Sequence, residues 1–348
     1  MTKDNEIGVC VAYYQCNDNG TLNEDGIGII DIRDSDAPCP SYLDTCCKPS
    51  DTRGSDDPIT PKPLQVNRKG CGWRNPDGID GLKMDRVGEF ARFGEFPWMI
   101  AVLKVEPLIA ENPEETYNLY VGGGSLIHPS VVLTAAHLLE KAHHYRARAG
   151  EWDTQTEKEI YPYQERDVAD VVIHEKYNRN NLHYDIALLI LRVEVKLAPN
   201  VGVACMPMSE AVPSGKCFAS GWGKDQFGKE GRYQVILKKV ELPVVEHKVC
   251  EAQLRQTRLG RYFKLSKTFM CAGGGYQDTC KGDGGSPLSC PIPYHQDRYM
   301  VSGIVSWGIG CGQHGNPGVY VDVATLRPWI DKNVGIPQYK FMINIYFY

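Results

Sequence analysis

From about residue 94 onward the chain is built of short apolar runs separated by turns. "PWMIAVL" (97–103), "SVVLTAA" (130–136), "DIALLILRV" (185–193) and "VSGIVSWG" (301–308) each end at Gly, Pro, Asn or charged residues. Runs this short, rich in Val and Ile and bounded by turn signals, predict buried strands rather than helices. Many such strands in succession predict an antiparallel β-sandwich or barrel. One stretch differs. "VATLRPWIDKNVG" (323–335) carries apolar residues at helical spacing, with Thr325 as N-cap, Pro328 in the first turn and Gly335 as the stop. The apolar tail "YKFMINIYFY" (339–348) reads as a strand or packing segment, too short for the roughly 20 residues of a membrane-spanning helix.

The first 50 residues have another texture. Cys10, Cys16, Cys39, Cys46 and Cys47 are separated by polar, turn-rich sequence. So short a segment buries too little apolar surface to fold without crosslinks. Residues 51–84 are rich in Pro and charge, the composition of a linker. The organisation expected is a disulfide-rich module at 1–50, a linker at 51–84, a β domain at 85–338 and a tail at 339–348.

The 348 residues carry a formal charge of -5 and 13 cysteines. No basic stripe offsets the acidic balance, which argues against nucleic acid. Cysteines scattered singly over long spans read as disulfides, hence an oxidising, extracellular compartment. The polar start "MTKDNEIGVC" is not a secretory signal, so a mature or truncated chain is expected.

Candidate chemistry lies in five fragments: "VVLTAAH" ending at His137, "YDIALL" containing Asp185, "DTCKGDGGSPL" from Asp278 to Leu288, "VSWG" from Val305, and "NPGVYVDV" from Asn316. Taken singly, His137 reads as a structural histidine and Asp185 as a turn carboxylate. Taken in this order, they resemble the trypsin-like serine proteases over roughly residues 85–335. The resemblance implies two six-stranded antiparallel β-barrels and a C-terminal helix. It makes His137 the general base and Asp185 the residue that orients it. It puts Asp278 at the base of a pocket for Arg or Lys, with Ser306, Trp307, Gly308 and Gly318 on its walls. The N–H groups of Gly282 and Gly284 fall at the oxyanion positions.

One part is missing. The family loop reads G-D-S-G-G-P, whereas this chain reads Gly282-Asp283-Gly284-Gly285-Ser286-Pro287. Gly284 has no side chain to attack a carbonyl. Ser286 lies two residues on, about 6–7 Å along an extended chain, whereas nucleophile and base must sit within about 3 Å. The stretch matching the family's activation site is Asp85-Arg86-Val87-Gly88, which does not begin with the usual aliphatic residue. Asp283 is therefore expected to lack an ammonium partner and to need another donor, in a zymogen-like pocket.

The resemblance also implies the pairs Cys71–Cys205, Cys217–Cys290, Cys250–Cys271 and Cys280–Cys311. The bridge that usually brackets the catalytic His is absent at both ends, where Gly122 and Leu138 stand. The front module resembles a clip domain, which implies Cys10–Cys39 and Cys16–Cys47 with Cys46 unpaired. Spacing alone leaves other connectivities open. Glu151 and Glu165 are a candidate calcium pair, for which an exposed acidic loop is the plainer reading. Asn19-Gly20-Thr21 is a glycosylation sequon.

Together these features resemble the clip-domain serine protease homologues. The resemblance implies a non-proteolytic protein of the haemolymph that assists prophenoloxidase activation in melanization and innate immunity. Its partners would be prophenoloxidase and an upstream clip-domain activating protease, with Arg33 or Arg53 as the activating cut and no obligate cofactor. Oligomeric state stays open. Two rivals are an active endopeptidase using Ser286 and a recognition or adhesion protein for microbial walls.

Overall fold

A computed structural model describes residues 8–12, 15–16, 39, 44–52, 68–79, 90–109, 112–140, 143–156, 159–208, 213, 215–223, 234–275, 283–295, 297–310 and 315–334. Arg33, Arg53, the 85–88 stretch, the sequon, Asp278, Gly282, the Cys280–Cys311 pair and the tail lie outside the described residues.

The front module holds one small antiparallel sheet. Strands β1 (Val9–Ala12) and β2 (Asp44–Cys47) pair from Val9↔Cys47 to Ala12↔Asp44. Two four-residue strands bury little, and covalent links stand in for a core: Cys10–Cys39 and Cys16–Cys47 are bridged. Cys46 is a free thiol. These are the connections expected from the clip resemblance.

Twelve further strands close into two six-stranded antiparallel barrels, as expected. The first contains β3 (Met99–Ile109), β4 (Asn112–His128), β5 (Val131–Thr134), β6 (His144–Ala149), β7 (Gln164–Ile173) and β8 (Ala187–Leu191), in the order β3-β4-β5-β8-β7-β6. The second contains β9 (Lys216–Gly221), β10 (Lys238–Val245), β11 (Phe269–Gly273), β12 (Pro287–Pro291), β13 (Tyr299–Trp307) and β14 (Pro317–Asp322), in the order β10-β11-β14-β13-β12-β9. Strands covered on both faces read as continuous apolar runs, and every residue of β5 and β8 is buried. Strand β6, "HYRARA", has one wet face and alternates, burying Tyr145, Ala147 and Ala149.

The barrels meet through buried polar anchors. Trp98 Nε1 donates to Ser289 Oγ at 3.0 Å, and Trp222 Nε1 donates to the Trp152 carbonyl at 3.1 Å. Glu95, fully buried in the "GEFPW" turn, is held by Arg74 and by Lys239 Nζ at 2.8 Å. Residues 68–79 run along this body and are fixed by Cys71–Cys205 and by Gly72, whose N–H and C=O pair with Val203 and Tyr299 at 2.7 Å. Gly72 has φ +78°, and a β-carbon there would collide with the Tyr299 carbonyl, so only glycine fits.

Two helices complete the body, α1 (His247–Arg255) and α2 (Val323–Val334). Helix α2 begins two residues before the Thr325 cap implied by the sequence. Asp322 supplies the cap instead: its Oδ1 accepts the Thr325 N–H at 3.1 Å and its Oδ2 the Thr325 hydroxyl at 3.0 Å. A carboxylate at the end of β14 sits at the N-cap position and is favoured there by the helix N-terminus, which a hydroxyl inside the first turn is not. Pro328 consequently lies in the second turn, inside the helix. Tertiary contacts offset its missing N–H: the Trp329 ring packs tilted against His174 at 4.9 Å between centroids, and its Nε1 donates to Glu175 at 2.9 Å. Among the described residues no helix is long and apolar enough to cross a membrane.

Candidate functional site

The cleft between the barrels gathers His137, Asp185, Ser306 and Gly284. His137 sits on a short 3₁₀ turn, Ala136–Leu138, just after β5. Asp185 precedes β8 and is fully buried. The loop that delivers it is bent by Leu182 and Tyr184, both at φ 56°, left-handed conformations that non-glycine residues rarely adopt.

Asp185 is held from three directions. Its Oδ2 lies 2.7 Å from His137 Nδ1, its Oδ1 accepts the His137 backbone N–H at 2.8 Å, and Ser306 Oγ donates to Oδ2 at 2.6 Å. A buried carboxylate needs such donors, and these also fix the imidazole with Nε2 turned into the cleft. Sequence reading treated Ser306 only as a pocket wall. Its bond to Asp185 joins the second barrel to the first across the cleft. Nearby, burial and then the Asp185 charge push the Tyr177 phenol up to about 12.

Gly284 faces His137 directly. A β-carbon added to Gly284 would lie 2.8 Å from His137 Nε2 and 3.2 Å from Cε1, closer than ordinary van der Waals contact. The surrounding turn is firmly set: Gly123 N–H bonds the Gly284 carbonyl at 2.9 Å and Gly285 N–H bonds the Val305 carbonyl at 2.9 Å. Ser286 makes no hydrogen bond to His137. Its hydroxyl is fully buried, points at the Gly123 and Gly221 backbone, and has no hydrogen-bond partner among the described residues. Asp283 Oδ1 accepts the Gly223 N–H at 2.9 Å.

On the pocket side, Trp307 ends β13, Gly308 follows it, and Gly318 lies in β14 opposite Ala272 of β11. The Trp307 ring meets Phe263 and Phe269 edge-on, at 6.2 and 5.8 Å between centroids.

Where the family's bridge beside His137 is absent, Leu138 fills the space. A β-carbon on Gly122 would stand 2.5 Å from the Gly284 carbonyl oxygen and 2.6 Å from Leu138 Cδ1, so the 284 turn and Leu138 together occupy the space a side chain at 122 would need. The described residues also contain Cys217–Cys290 and Cys250–Cys271, as the family pattern implied.

Glu151 and Glu165 do converge, but on a guanidinium. Arg148 Nη1 lies 2.7 Å from Glu151 Oε2, and Nη2 lies 2.7 Å from Glu165 Oε1. Glu151 Oε1 accepts the Trp152 N–H at 2.9 Å, and Arg148 stacks over Tyr163 at 4.1 Å. A covalently attached cation thus holds both carboxylates. The site is not an exposed loop, since Glu151 is buried. The usable signal was Arg148 itself, three residues before Glu151 on an alternating strand.

The chain matches the Trypsin family over residues 86–330 and the family described as "Serine protease Clip domain PPAF-2" over residues 2–48. It belongs to the trypsin family, in the clip-domain branch of serine protease homologues. It is 61% identical over 292 residues to "Phenoloxidase-activating factor 2" of Galleria mellonella, covering 82% of this chain and 96% of that one. It is 36% identical over 335 residues to "Inactive CLIP domain-containing serine protease A8" of Anopheles gambiae (94% and 88% covered). It is 39% identical over 344 residues to "Inactive CLIP domain-containing serine protease A3" of Aedes aegypti (95% and 68% covered).

Proposed function

We propose that this clip-domain homologue cuts nothing and acts outside the cell as a binding cofactor in prophenoloxidase activation, beside an upstream clip-domain protease. The observation that carries the reading is Gly284: a held imidazole with no hydroxyl to deprotonate. General-base catalysis by His137 needs a nucleophile on Nε2, and Ser286 is buried elsewhere. The names of the relatives support the same direction, as one is a phenoloxidase-activating factor and two are called inactive.

In this reading His137, Asp185 and Ser306 are kept for the shape of the cleft. Asp278, with Ser306, Trp307, Gly308 and Gly318, receives a basic side chain of the partner without cleaving it. Gly282 and Gly284 stand at the sequence positions of the oxyanion donors, and a cut at Arg33 or Arg53 switches the clip module. The disulfides at Cys10–Cys39, Cys16–Cys47 and Cys71–Cys205 suit an oxidising extracellular compartment.

The test mixes purified prophenoloxidase with its activating protease, with and without this protein, and follows oxidation of a catechol. The expected result is higher phenoloxidase activity when the protein is present. Unchanged activity sinks the cofactor role. A fluorophosphonate probe is expected to leave the protein unlabelled, and stoichiometric labelling of Ser286 would reinstate the endopeptidase.

A further inference from the structure

Residues 246–267 carry Lys248, Arg255, Arg258, Arg261, Lys264 and Lys267 against Glu246 and Glu251. This stretch has a net charge of +4 in a chain whose formal charge is -5. The concentration of cations has no part in the cleft chemistry described above.

The stretch folds into one fixed lobe. Helix α1 is pinned to β11 by Cys250–Cys271, and Leu254 and Leu265 are buried beneath it. The segment after α1 returns along the helix. Arg255 Nε donates to the Phe263 carbonyl at 2.8 Å, Leu265 N–H to Glu251 Oε2 at 2.9 Å, and His247 Nε2 lies 3.2 Å from the Ser266 carbonyl. Arg255 and Glu251 thus spend their charges on each other and on the turn, at 2.6 Å. The remaining cations, Lys248, Arg258, Arg261, Lys264 and Lys267, are exposed, and among the described residues none is in an ion pair. Tyr262 stands among them 81% exposed, with the Arg261 guanidinium over its ring at 4.7 Å.

A rigid, uncompensated cationic face raises the local concentration of anions and speeds their encounter. Exposed Arg and Tyr side by side are the residues enriched where proteins meet. Position adds a second argument. Phe263, on the same lobe, packs against Trp307 at the cleft wall. A polypeptide lying in the cleft and leaving past Trp307 therefore reaches this lobe next.

We infer that the lobe at residues 246–267 is a docking site for an acidic polypeptide segment of a partner protein, continuous with the Trp307 side of the cleft. Arg258 and Arg261 offer paired donors to carboxylates, Lys264 and Lys267 add charge, and Tyr262 supplies apolar contact. This inference deepens the cofactor reading but does not need phenoloxidase to be the partner.

The test uses the full chain and a fluorescein-labelled dodecapeptide of alternating Asp and Glu, with an Asn/Gln dodecapeptide and low-molecular-weight heparin as comparisons. Polarisation is measured at low and at higher salt. The acidic peptide is expected to bind, to weaken as salt rises, and to lose about tenfold or more in affinity in R258E/R261E/K264E. A control of equal charge change, R192E/K196E/K332E, is expected to keep more of that affinity. Matching thermal midpoints of the two variants exclude unfolding as the cause. Absence of acidic-peptide binding overturns the proposal, as does equal loss in both variants. Heparin binding to the lobe without peptide binding also overturns it, in favour of a glycan site. Peptide binding by a protein that fails the phenoloxidase assay refutes the cofactor role alone and leaves the docking site standing.

Discussion

Glu159 offers a direct measure of how far the interior of the first barrel controls a titration. The residue is 9% exposed, and its Oε1 accepts the Asp153 N–H at 3.1 Å. Among the described residues Glu151 and Asp153 act on it, their carboxylates opposing another negative charge. Burial, more than those neighbours, pushes the Glu159 carboxyl up to about 7 from an ordinary 4.5. Below about pH 4.5 the carboxyl is protonated in both folded and unfolded chains and contributes nothing. Between 4.5 and 7 the unfolded chain releases the proton while the folded one retains it, so stability falls as pH rises. Above 7 both are ionised and the cost is complete, on the order of 3 kcal/mol at 1.36 kcal/mol per pH unit. Glu159→Gln keeps the acceptor and removes the charge. The variant is expected to match its parent near pH 4.5 and to exceed it by about 3 kcal/mol at pH 8, read from urea unfolding followed by tryptophan fluorescence. Glu151, also pushed up by burial, titrates in both proteins and largely cancels in the difference. A difference between variant and parent that is flat from pH 4.5 to 8 would falsify this account of Glu159.

The other predictions concern the same body. Arg148→Met leaves the buried Glu151 carboxylate without its cation and is expected to cost about 3–5 kcal/mol at neutral pH, with much of the loss recovered in acid. EDTA is expected to leave the parent's thermal midpoint unchanged, and a midpoint that drops with EDTA would contradict a guanidinium-held loop. The pair Gly122→Cys and Leu138→Cys is expected to close a disulfide with little net gain in stability, because the new β-carbon at 122 meets the Gly284 carbonyl oxygen at 2.5 Å; non-reducing mass spectrometry that finds two free thiols rejects it. Gly284→Ser is expected to turn over no Arg or Lys peptide, because the new β-carbon meets His137 Nε2 at 2.8 Å and the imidazole is anchored to Asp185. Robust cleavage by that variant would show that the imidazole yields easily.

Much of this protein could be read from one dimension. Apolar runs of strand length announced the barrels, since "VVLT" and "ALLIL" are buried on every side. The missing nucleophile at 284 is a matter of letters alone, and so is the unpaired count of cysteines. Local chemistry misled where two elements compete for the same role. Thr325 was a good cap by type, but Asp322, at the end of a strand, brought a carboxylate oxygen within reach first.

Only the tertiary structure decided what Gly284 faces and what became of its neighbours. No spacing rule says that Ser306 crosses from the second barrel to bond Asp185, that Leu138 takes the room left by Gly122, or that Arg148 stands between Glu151 and Glu165. Each of these joins residues far apart in the chain or on opposite sides of a turn. Hydrophobic pattern fixes which face of an element is buried, because it depends on neighbours along the chain. Which polar groups then meet inside depends on barrel closure and register, and that geometry exists only once the sheets have folded.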